Sequence, residues 1–245
     1  MGKYVIRAGS RSERGVRPNN EDRLVADTER HVYLVADGMG GQEAGERASG
    51  LAADIIPRVV RDVLAHEDNP GRAVRQALHE ANEAIVREGR DQPVGRRMGT
   101  TAVLAVARDD QIYVAGLGDS RAYLIRGPRV EQLTVDHSMA QMLADTNRLT
   151  REQARNSPWQ HVLYRFLGCA DMEEEAEVQP LIPEAGDRLL LATDGLTNHV
   201  GEDDLVEGVS RYPDPQALAE HLVELALHRG SRDNVTCIVV ALDRE

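Results

Sequence analysis

Short runs of aliphatic and β-branched residues recur along the chain and predict strands. Eight such runs are Tyr4–Ala8, Leu24–Asp27, His31–Ala36, Thr100–Ala107, Gln111–Ala115, Arg121–Ile125, Arg188–Ala192 and Val235–Leu242. In "VARDDQIYVAG" the turn residues Asp109 and Asp110 separate two of these runs, which is typical of a β-hairpin.

Three other segments repeat their apolar residues every three or four positions and predict helices with one apolar face. They span Gln42–His66, Arg72–Arg87 and Pro215–His228. Pro57 falls inside the first apolar stripe, so we expect it to kink or split that helix. Gly230 follows the third segment and is expected to cap its C-terminus.

The order of these elements favours an α+β fold, because hairpin-linked strands with helices grouped between them form antiparallel sheets covered by helices. The strict strand–helix alternation of a Rossmann sheet is absent. The polar segment 136–180 predicts short helices and loops that form a flap over a site, with a solvated surface insertion as the alternative. No repeat or long linker divides the chain, so we expect a single domain over residues 1–245.

The charge balance excludes several classes of partner. Lys and Arg number 29 against 41 Asp and Glu, a net charge of −12, and no basic block offers a surface for nucleic acid or an anionic membrane.

The two cysteines, Cys169 and Cys237, form no CxxC pair, which disfavours a disulfide framework or a thiolate zinc site. The N-terminus lacks an apolar signal core and no window has membrane-span length, so we expect a cytoplasmic protein.

Acidic residues stand at the ends of several predicted strands, each beside glycine or another turn residue. They are Asp37 in "VADGMGG", Asp119 in "GLGDSRAYLI", Asp194 in "LLLATDGLTNH", Asp233 in "GSRDNVTCIVV" and the pair Glu21-Asp22 in "RPNNEDRL". A single turn aspartate usually binds nearby backbone amides. Several such acids that converge on one pocket repel one another unless cations neutralise them.

Such a pocket would offer cations a set of oxygen ligands, which selects Mg²⁺ or Mn²⁺ over Zn²⁺. Because Gly38 lets the backbone approach an ion closely, its carbonyl is a candidate ligand. Two ions about 3.5–4 Å apart activate a shared water and balance the charge of a phosphoryl group. The planar fork of an arginine matches two phosphate oxygens, and Arg17 is the candidate, with a salt bridge to a neighbouring acid as the alternative.

The motifs carry a family resemblance when they are taken in order. Seven motifs occur in the same order as in metal-dependent, type-2C serine/threonine protein phosphatases, the PPM family. They are "RPNNEDR", "VADGMGG", "GTTAVLAV", "GDSRAYLI", "LTVDHS", "LLLATDGLTN" and "SRDNVTCIVV". The chain resembles this family from about Gly15 to Val240. Its short form and the methionine in "DGMGG" resemble the bacterial branch.

The resemblance implies a four-layer αββα fold, a central β-sandwich of two antiparallel sheets flanked by helices on both faces, with a flap subdomain at about 136–180. It also implies two Mn²⁺ or Mg²⁺ ions between the sheets. Asp37 would bridge both ions and act in catalysis. Asp194 and Asp233 would complete one site, while Gly38 and Glu21 would serve the other.

The remaining site residues also follow from the resemblance. Asp22 would hold metal-bound waters from the second layer of the site, and Asp119 with Asp194 would take a third, weaker ion. Arg17 would bind the phosphate. The implied reaction is attack of the activated water on phosphoserine or phosphothreonine proteins, a Ser/Thr kinase among them, which reverses kinase signalling. We expect a monomer.

Two positions depart from the family pattern. Met39 stands where some members have a histidine that donates a proton, and methionine has no proton to donate. The leaving alkoxide must then be protonated by a metal-bound water or another group. Asn147 replaces a glycine in the flap, and asparagine tolerates the left-handed backbone that such a turn needs.

Two alternatives to a protein phosphatase stay open. A catalytically silent domain of the same fold would bind a partner, since fold alone does not fix function. A metallohydrolase would act on a small phosphate ester or nucleotide, although Phe, Trp and Tyr make up only 3% of the chain and offer little base stacking. In the flap, His161 and Trp159 either meet substrate or pack the flap. We expect His137 to be structural and Cys237 to be buried.

Overall fold

The computed structural model describes residues 4–90, 98–170 and 175–244, and these form two five-stranded sheets in which all paired strands are antiparallel. From edge to edge, the first sheet contains β1 (Tyr4–Glu13), β12 (Val235–Arg244), β11 (Asp187–Ala192), β8 (Arg121–Arg126) and β9 (Arg129–Gln132). The second contains β10 (Val178–Leu181), β7 (Gln111–Leu117), β6 (Ala102–Arg108), β3 (Val32–Ala36) and β2 (Arg23–Asp27). Two-residue strands β4 (Gly38–Met39) and β5 (Gly99–Thr100) pair beside them.

Helices cover the outer face of each sheet. The second sheet carries α1 (Gln42–Leu64) and α2 (Pro70–Glu88), and the first carries α6 (Glu202–Arg211) and α7 (Pro215–His228). Shorter helices are α3 (Met139–Asp145), α4 (Arg151–Arg155) and α5 (Asp194–Thr197). The predicted four-layer αββα sandwich is therefore confirmed.

Alternate side chains along each strand point to opposite faces of the sheet, so each strand contributes to two layers of the core. In β3, Tyr33 and Val35 enter the core between the sheets, whereas Leu34 packs under α1 and α2. In β12, Ile238 lies between the sheets and Val239 packs under α7. Such strands are buried on both faces, which explains why they appear in the sequence as continuous apolar runs.

The strands missing from the sequence prediction are short and peripheral. β9 is an edge strand of mostly exposed, polar residues, "RVEQ", which carries no apolar alternation. β10 contains Pro180 and is also an edge strand, a place where proline costs no ladder hydrogen bond. Since β10 begins at Val178, the last three residues of the expected flap segment belong to the second sheet.

Pro57 does not split the first helix, contrary to one of the two expected outcomes. α1 continues from Gln42 to Leu64 through Pro57. Ile56 and Val60, on either side of Pro57, are fully buried against α2 and the second sheet. Tertiary packing of that face compensates for the hydrogen bond that proline cannot donate.

The other turn and cap predictions agree with the backbone. Asp109, between β6 and β7, has φ 54° and closes the expected hairpin. Asn147 has φ 56°, the left-handed conformation expected of it in the flap. Gly230 has φ 91° directly after α7, and the amide of Ser231 donates to the Ala226 carbonyl, which is the Schellman pattern of a helix C-terminus.

The helix α6 was not predicted from the sequence, because its segment "EDDLVEGVSR" is acidic and contains a glycine.

Candidate metal centre

A cavity of about 490 Å³ opens at one end of the β-sandwich, which we call the pocket end. There β3, β7 and β11 stop, and β12 begins. The cavity brings together seven residues predicted for the site: Arg17, Glu21, Asp37, Gly38, Asp119, Asp194 and Asp233. It is also lined by Met39, Gly40, Gly41, Thr101, His161, Leu163, Phe166 and Asn234.

Asp37 follows β3 and is held through its backbone by two threonines. Its amide donates to the Thr101 hydroxyl at 2.9 Å, and its carbonyl accepts the Thr100 hydroxyl at 2.9 Å and the Thr101 amide at 2.8 Å. The Thr101 hydroxyl also pairs with Ser120 at 2.6 Å. These bonds leave the Asp37 carboxylate free to face the cavity.

Asp22 lies behind the cavity and is 2% exposed. The hydroxyl of Thr193 donates to its Oδ2 at 3.1 Å, while its Oδ1 has no hydrogen-bond partner in the described structure. Burial raises the pKa of Asp22 to about 7, and the charges of Asp194 and Asp233 add to the effect. A buried carboxylate oxygen without a partner is costly, so Asp22 calls for a water or cation that a folded chain alone does not supply.

Asn234 positions the loop that carries Glu21 and Arg17. Its side-chain oxygen accepts the Glu21 amide at 2.8 Å, and its amide donates to the carbonyls of Arg14 and Asn19, each at 2.9 Å. The Ser49 hydroxyl of α1 donates to the Glu21 carbonyl. Burial raises the pKa of the Glu21 carboxyl. Asn234 belongs to the "SRDNVTCIVV" motif but was not among the residues predicted for the site.

Arg17 lies at the rim of the cavity and is paired with Asp233. Its Nη2 donates to Asp233 Oδ2 at 2.6 Å, which is the salt bridge expected as an alternative to phosphate binding. In the part of the chain that the structure describes, this is the one hydrogen bond of the guanidinium, which carries five N–H donors. The remaining donors are available to a ligand in the cavity.

Asp119, Asp194 and His161 meet on the other side of the cavity. Each offers one ligand atom, and the three atoms lie within 4.8 Å of one another. His161 Nδ1 is 3.4 Å from Asp194 Oδ2, and this contact raises the pKa of His161. Burial and the charge of Asp194 raise the pKa of Asp119 to about 7. The sequence left open whether His161 meets substrate or packs the flap. In the structure its side chain faces the cavity.

The glycines of the site allow three segments to pack closely. A Cβ on Gly38 would overlap the carbonyl of Gly45, and a Cβ on Gly45 would overlap the Glu21 carboxylate. No larger residue fits at either position without moving the backbone. Gly38 therefore brings its own peptide group next to Glu21.

The electrostatics of the cavity favour a cation. Burial raises the pKa of Asp37 well above its ordinary value, and the charges of Asp22, Asp194, Asp119 and Asp233 all act in the same direction. The donor set consists of carboxylate oxygens and a carbonyl. Such donors fit Mg²⁺ or Mn²⁺, and the orphaned Asp22 oxygen fits water held near them.

His137 and Cys237, for which the sequence predicted no role in the site, lie outside the cavity lining. The His137 ring accepts the Gly118 amide at 3.2 Å and meets Tyr164 edge-on, and burial lowers the pKa of His137. It positions a turn, as expected. Cys237 is fully buried in β12, and burial raises its pKa to about 12, so this thiol is unreactive.

Comparisons with known proteins agree with this geometry. The protein phosphatase 2C family profile matches residues 10–228. The serine/threonine protein phosphatase PstP of Mycobacterium tuberculosis is 36% identical over 96% of this chain, which spans 45% of PstP. The serine/threonine phosphatase stp of Listeria monocytogenes is 32% identical over 97% of this chain and 96% of its own length.

A solved structure extends the comparison to three dimensions. It is described as the catalytic domain of serine threonine protein phosphatase PstP in complex with 2 manganese ions. It superimposes with a TM-score of 0.85 at 33% identity, covering 98% of this chain and 99% of that one. The profile match and the fold together show that the chain belongs to the protein phosphatase 2C family.

Proposed function

We propose that this chain is a metal-dependent protein serine/threonine phosphatase. The observation that carries the proposal is the convergence of Arg17, Glu21, Asp37, Asp194 and Asp233 on one cavity. A phosphoryl group needs positive charge, and here a guanidinium stands at the rim of a cluster of carboxylates suited to divalent cations. The names of the relatives support the same activity.

The acids divide naturally between two ions. Asp37 would be the ligand shared by both ions, Asp194 and Asp233 would hold one ion, and Glu21 with the Gly38 carbonyl would hold the other. Asp119 with Asp194 would hold a third ion more weakly. When bound, Mn²⁺ or Mg²⁺ lowers the pKa of a water molecule and offsets the charge of the phosphoryl group. The PstP structure in complex with 2 manganese ions supports the choice of metal and a pair of ions.

The remaining residues of the chain orient and bind. Arg17 grips two phosphoryl oxygens with N–H groups that Asp233 does not use, and the ion pair with Asp233 keeps the guanidinium at the rim. Thr100 and Thr101 fix the direction of the Asp37 carboxylate through the backbone. The free oxygen of Asp22 accepts a hydrogen bond from water in the cavity. Met39 lines the cavity but moves no proton.

The substrates follow from the same assignment. We propose phosphoserine and phosphothreonine proteins, including a Ser/Thr kinase whose signalling the enzyme reverses. We further propose that the protein works in the cytoplasm as a monomer. Among the described residues, no helix combines the length and the apolar character that a membrane span requires.

The assay that tests the proposal compares four substrates in Mn²⁺ and in EDTA. We expect Mn²⁺-dependent hydrolysis of phosphothreonine and phosphoserine peptides, slower hydrolysis of a phosphotyrosine peptide, and little release of phosphate from free ATP. Activity that persists in EDTA would refute metal dependence. A preference for ATP would favour the alternative of a small-ester hydrolase.

A matched pair of arginines tests phosphate binding. Arg17→Gln should raise KM for a phosphothreonine peptide, because the bidentate contact is lost. Arg14→Gln is the control, since Arg14 is a nearby exposed arginine whose side chain donates to the Pro18 carbonyl. Equal KM values in the two variants would contradict the assignment of Arg17.

A further inference from the structure

The cavity has an apolar wall that the proposed reaction does not use. Met39, Leu163 and Phe166 line it, and none of these side chains can transfer a proton. Phe166 is the one phenylalanine of a chain in which Phe, Trp and Tyr make up only 3% of the residues. It is half-buried, so part of its side chain stays open to the cavity. An apolar surface beside a polar site binds the apolar part of a ligand.

Gly99 provides the seat of the Phe166 ring. A Cβ on Gly99 would lie 2.7 and 2.8 Å from two ring carbons, Cε2 and Cδ2, so no side chain fits there without displacing the ring. Gly99 is paired with Met39 in the two-residue strands β4 and β5. The Phe166 ring therefore lies against the short strand pair that begins directly after Asp37.

The backbone that carries Phe166 is fastened on both sides. We call residues 166–169 the return segment, because they lead the chain back from the flap towards the second sheet. On one side, Leu167 pairs with Thr100 through two backbone hydrogen bonds of 2.9 Å. Since Thr100 directly follows Gly99, the strand that seats the ring also holds the backbone behind it.

On the other side, Asn82 of α2 holds the return segment with both ends of its side-chain amide. Its oxygen accepts the Gly168 amide at 2.7 Å, and its nitrogen donates to the Cys169 carbonyl at 3.1 Å. Asn82 is 7% exposed, so little water reaches these bonds. Gly168 has φ 105°, and a Cβ there would overlap the Met98 carbonyl. The return segment therefore passes through a narrow slot, and Asn82 fixes it there.

Asp37 is held by bonds in which Asn82 takes no part. Thr101 makes two of the three backbone hydrogen bonds of Asp37, and the third comes from Thr100, which pairs with Leu167. Loss of Asn82 is therefore expected to move Phe166 further than Asp37. The apolar wall and the reacting groups can thus be tested separately.

We propose that Phe166, seated on Gly99 and positioned by Asn82, determines specificity for substrates with an apolar side chain next to the phosphorylated residue. Adjacent residues of a peptide have Cα atoms about 3.8 Å apart. In a cavity of about 490 Å³, a phosphoryl group at Arg17 therefore leaves the neighbouring side chain within reach of the apolar wall. Covering this wall removes apolar surface of both partners from water. The inference rests on the proposed function and adds the class of sequence that the enzyme prefers.

Phosphothreonine peptides that differ at a single flanking position test the preference. The set carries Leu, Ser or Asp immediately before or immediately after the phosphothreonine, and each peptide is assayed in Mn²⁺. On one of the two sides, we expect kcat/KM to be about 10-fold higher for the Leu peptide than for the Ser peptide. Phe166→Ala should reduce this ratio to about 2-fold or less, because the wall is lost.

Val162→Ala is the matched control. Val162 is an apolar residue of the same part of the flap, is 42% exposed and lies outside the cavity lining. Its truncation should preserve the Leu preference. Equal kcat/KM for all peptides of the set, or a Leu preference that survives Phe166→Ala, would overturn the proposal.

A second comparison tests Asn82 as a positioning residue. Asn82→Ala should lower the Leu-to-Ser ratio, with a larger loss on the Leu peptide than on an aryl phosphate, which has no flanking residue. Asn82→Asp keeps an acceptor for the Gly168 amide and should retain part of the ratio. Leu78→Ala, which opens a buried site of the same helix, controls for stability and should leave the ratio unchanged. Equal losses on all substrates in Asn82→Ala would indicate a merely structural role and refute the positioning role.

The inference and the proposed function fail in different ways. A chain that hydrolyses every peptide of the set with the same kcat/KM keeps the proposed function and loses the apolar preference. A chain that hydrolyses the aryl phosphate in Mn²⁺ but releases phosphate from no peptide loses both.

Discussion

Acidic residues at the two ends of the β-sandwich differ in whether the chain supplies them with a cationic partner. At the end away from the cavity, Arg126 grips Asp187 with bonds of 2.8 and 2.7 Å. Nearby, the partly exposed Asp243 pairs with Arg7 at 2.7 Å and Arg188 at 3.0 Å. At the pocket end, within the part of the chain that the structure describes, no Arg, Lys or His forms an ion pair with Asp22, Asp37 or Asp119.

The difference separates structural acids from functional ones. Where the fold needs a buried carboxylate, the chain supplies an arginine with it, since an unpaired buried charge is costly. Where the chain supplies too few cations, burial raises the pKa of Asp22 and Asp119 to about 7, and the charges of neighbouring acids add to the effect. Such an excess marks the place where an external cation belongs.

The largest expected effect comes from Asp37→Asn. It removes a charge shared by both ions, so we expect kcat to fall by about 10³-fold or more, which corresponds to several kcal/mol of lost stabilisation by the metals. The metal-free variant should be at least as stable as the wild type, because repulsion among the acids is relieved. Asp110→Asn, in the exposed β6–β7 turn, is the matched control. Full Mn²⁺-dependent activity in Asp37→Asn would remove the contrast between the two ends.

The second prediction concerns pH and metal removal. The folded pKa of Asp22 and of Asp119 is about 7, against 3.8 as the ordinary value. Between these values the folded state keeps protons that the unfolded state has lost, so the stability of the metal-free protein should fall as pH rises from about 4 to 7. Mn²⁺ should cancel this fall.

Thermal unfolding in chelator at pH 5 and pH 8 checks the sign. The midpoint should be lower at pH 8, and Mn²⁺ should raise it more at pH 8 than at pH 5. Asp119→Asn should flatten the dependence in the metal-free protein. A metal-free midpoint that rises with pH across this range would contradict the excess of charge at the pocket end.

At the opposite end the expected effect is on stability alone. Asp187→Asn removes the buried partner of Arg126, a carboxylate that is 1% exposed, and leaves Arg126 paired with the exposed Glu184 alone. Breaking a fully buried pair costs about 3–5 kcal/mol, and the partial exposure of Arg126 reduces the expected loss to about 2 kcal/mol. Urea unfolding measures it. The Mn²⁺-dependent kcat should stay close to that of the wild type. A selective loss of kcat would contradict the assignment of Asp187 as a structural acid.

The smallest expected effect is that of Asp243→Asn, and its pH dependence is inverted. Burial acts to raise the pKa of Asp243, but hydrogen bonds and charge from Arg7 and Arg188 outweigh it and lower the pKa below 3.8. This stabilisation is present above about pH 4 and is lost as pH falls through the lowered value. Urea unfolding should show the variant less stable by about 1 kcal/mol at pH 7, with the gap closing near pH 3.

Much of the fold was predictable because its central strands are buried on both faces and appear as apolar runs. β3, β6, β11 and β12 all lie where the sequence predicted strands. The edge strands β9 and β10 were not predictable, since an exposed edge needs no apolar alternation and accepts proline. Of the two outcomes expected at Pro57, a kink or a split, the split does not occur, because burial of Ile56 and Val60 keeps the helix continuous.

The acids of the site were predictable because aspartate at a strand end is chemically conspicuous. Their neighbours were harder to find. Asn234 and Thr101 act through side-chain contacts with distant backbone, such as the bond from the Asp37 amide to Thr101, 64 residues away in sequence. His161 comes from a flap whose course over the cavity no periodicity encodes. Arg17 lines the cavity, and its choice of Asp233 as ion-pair partner, 216 residues away in sequence, depends on the folded loop.

The position of Trp159 has an optical consequence. It is the one tryptophan of the chain, its residue is 52% exposed, and it stands two residues before His161, which lines the cavity. Indole emission responds to the polarity around the ring, so the protein carries an intrinsic fluorophore on the segment that supplies His161. Stopped-flow mixing with Mn²⁺ can therefore report changes around this segment in real time, without a label and without a substrate.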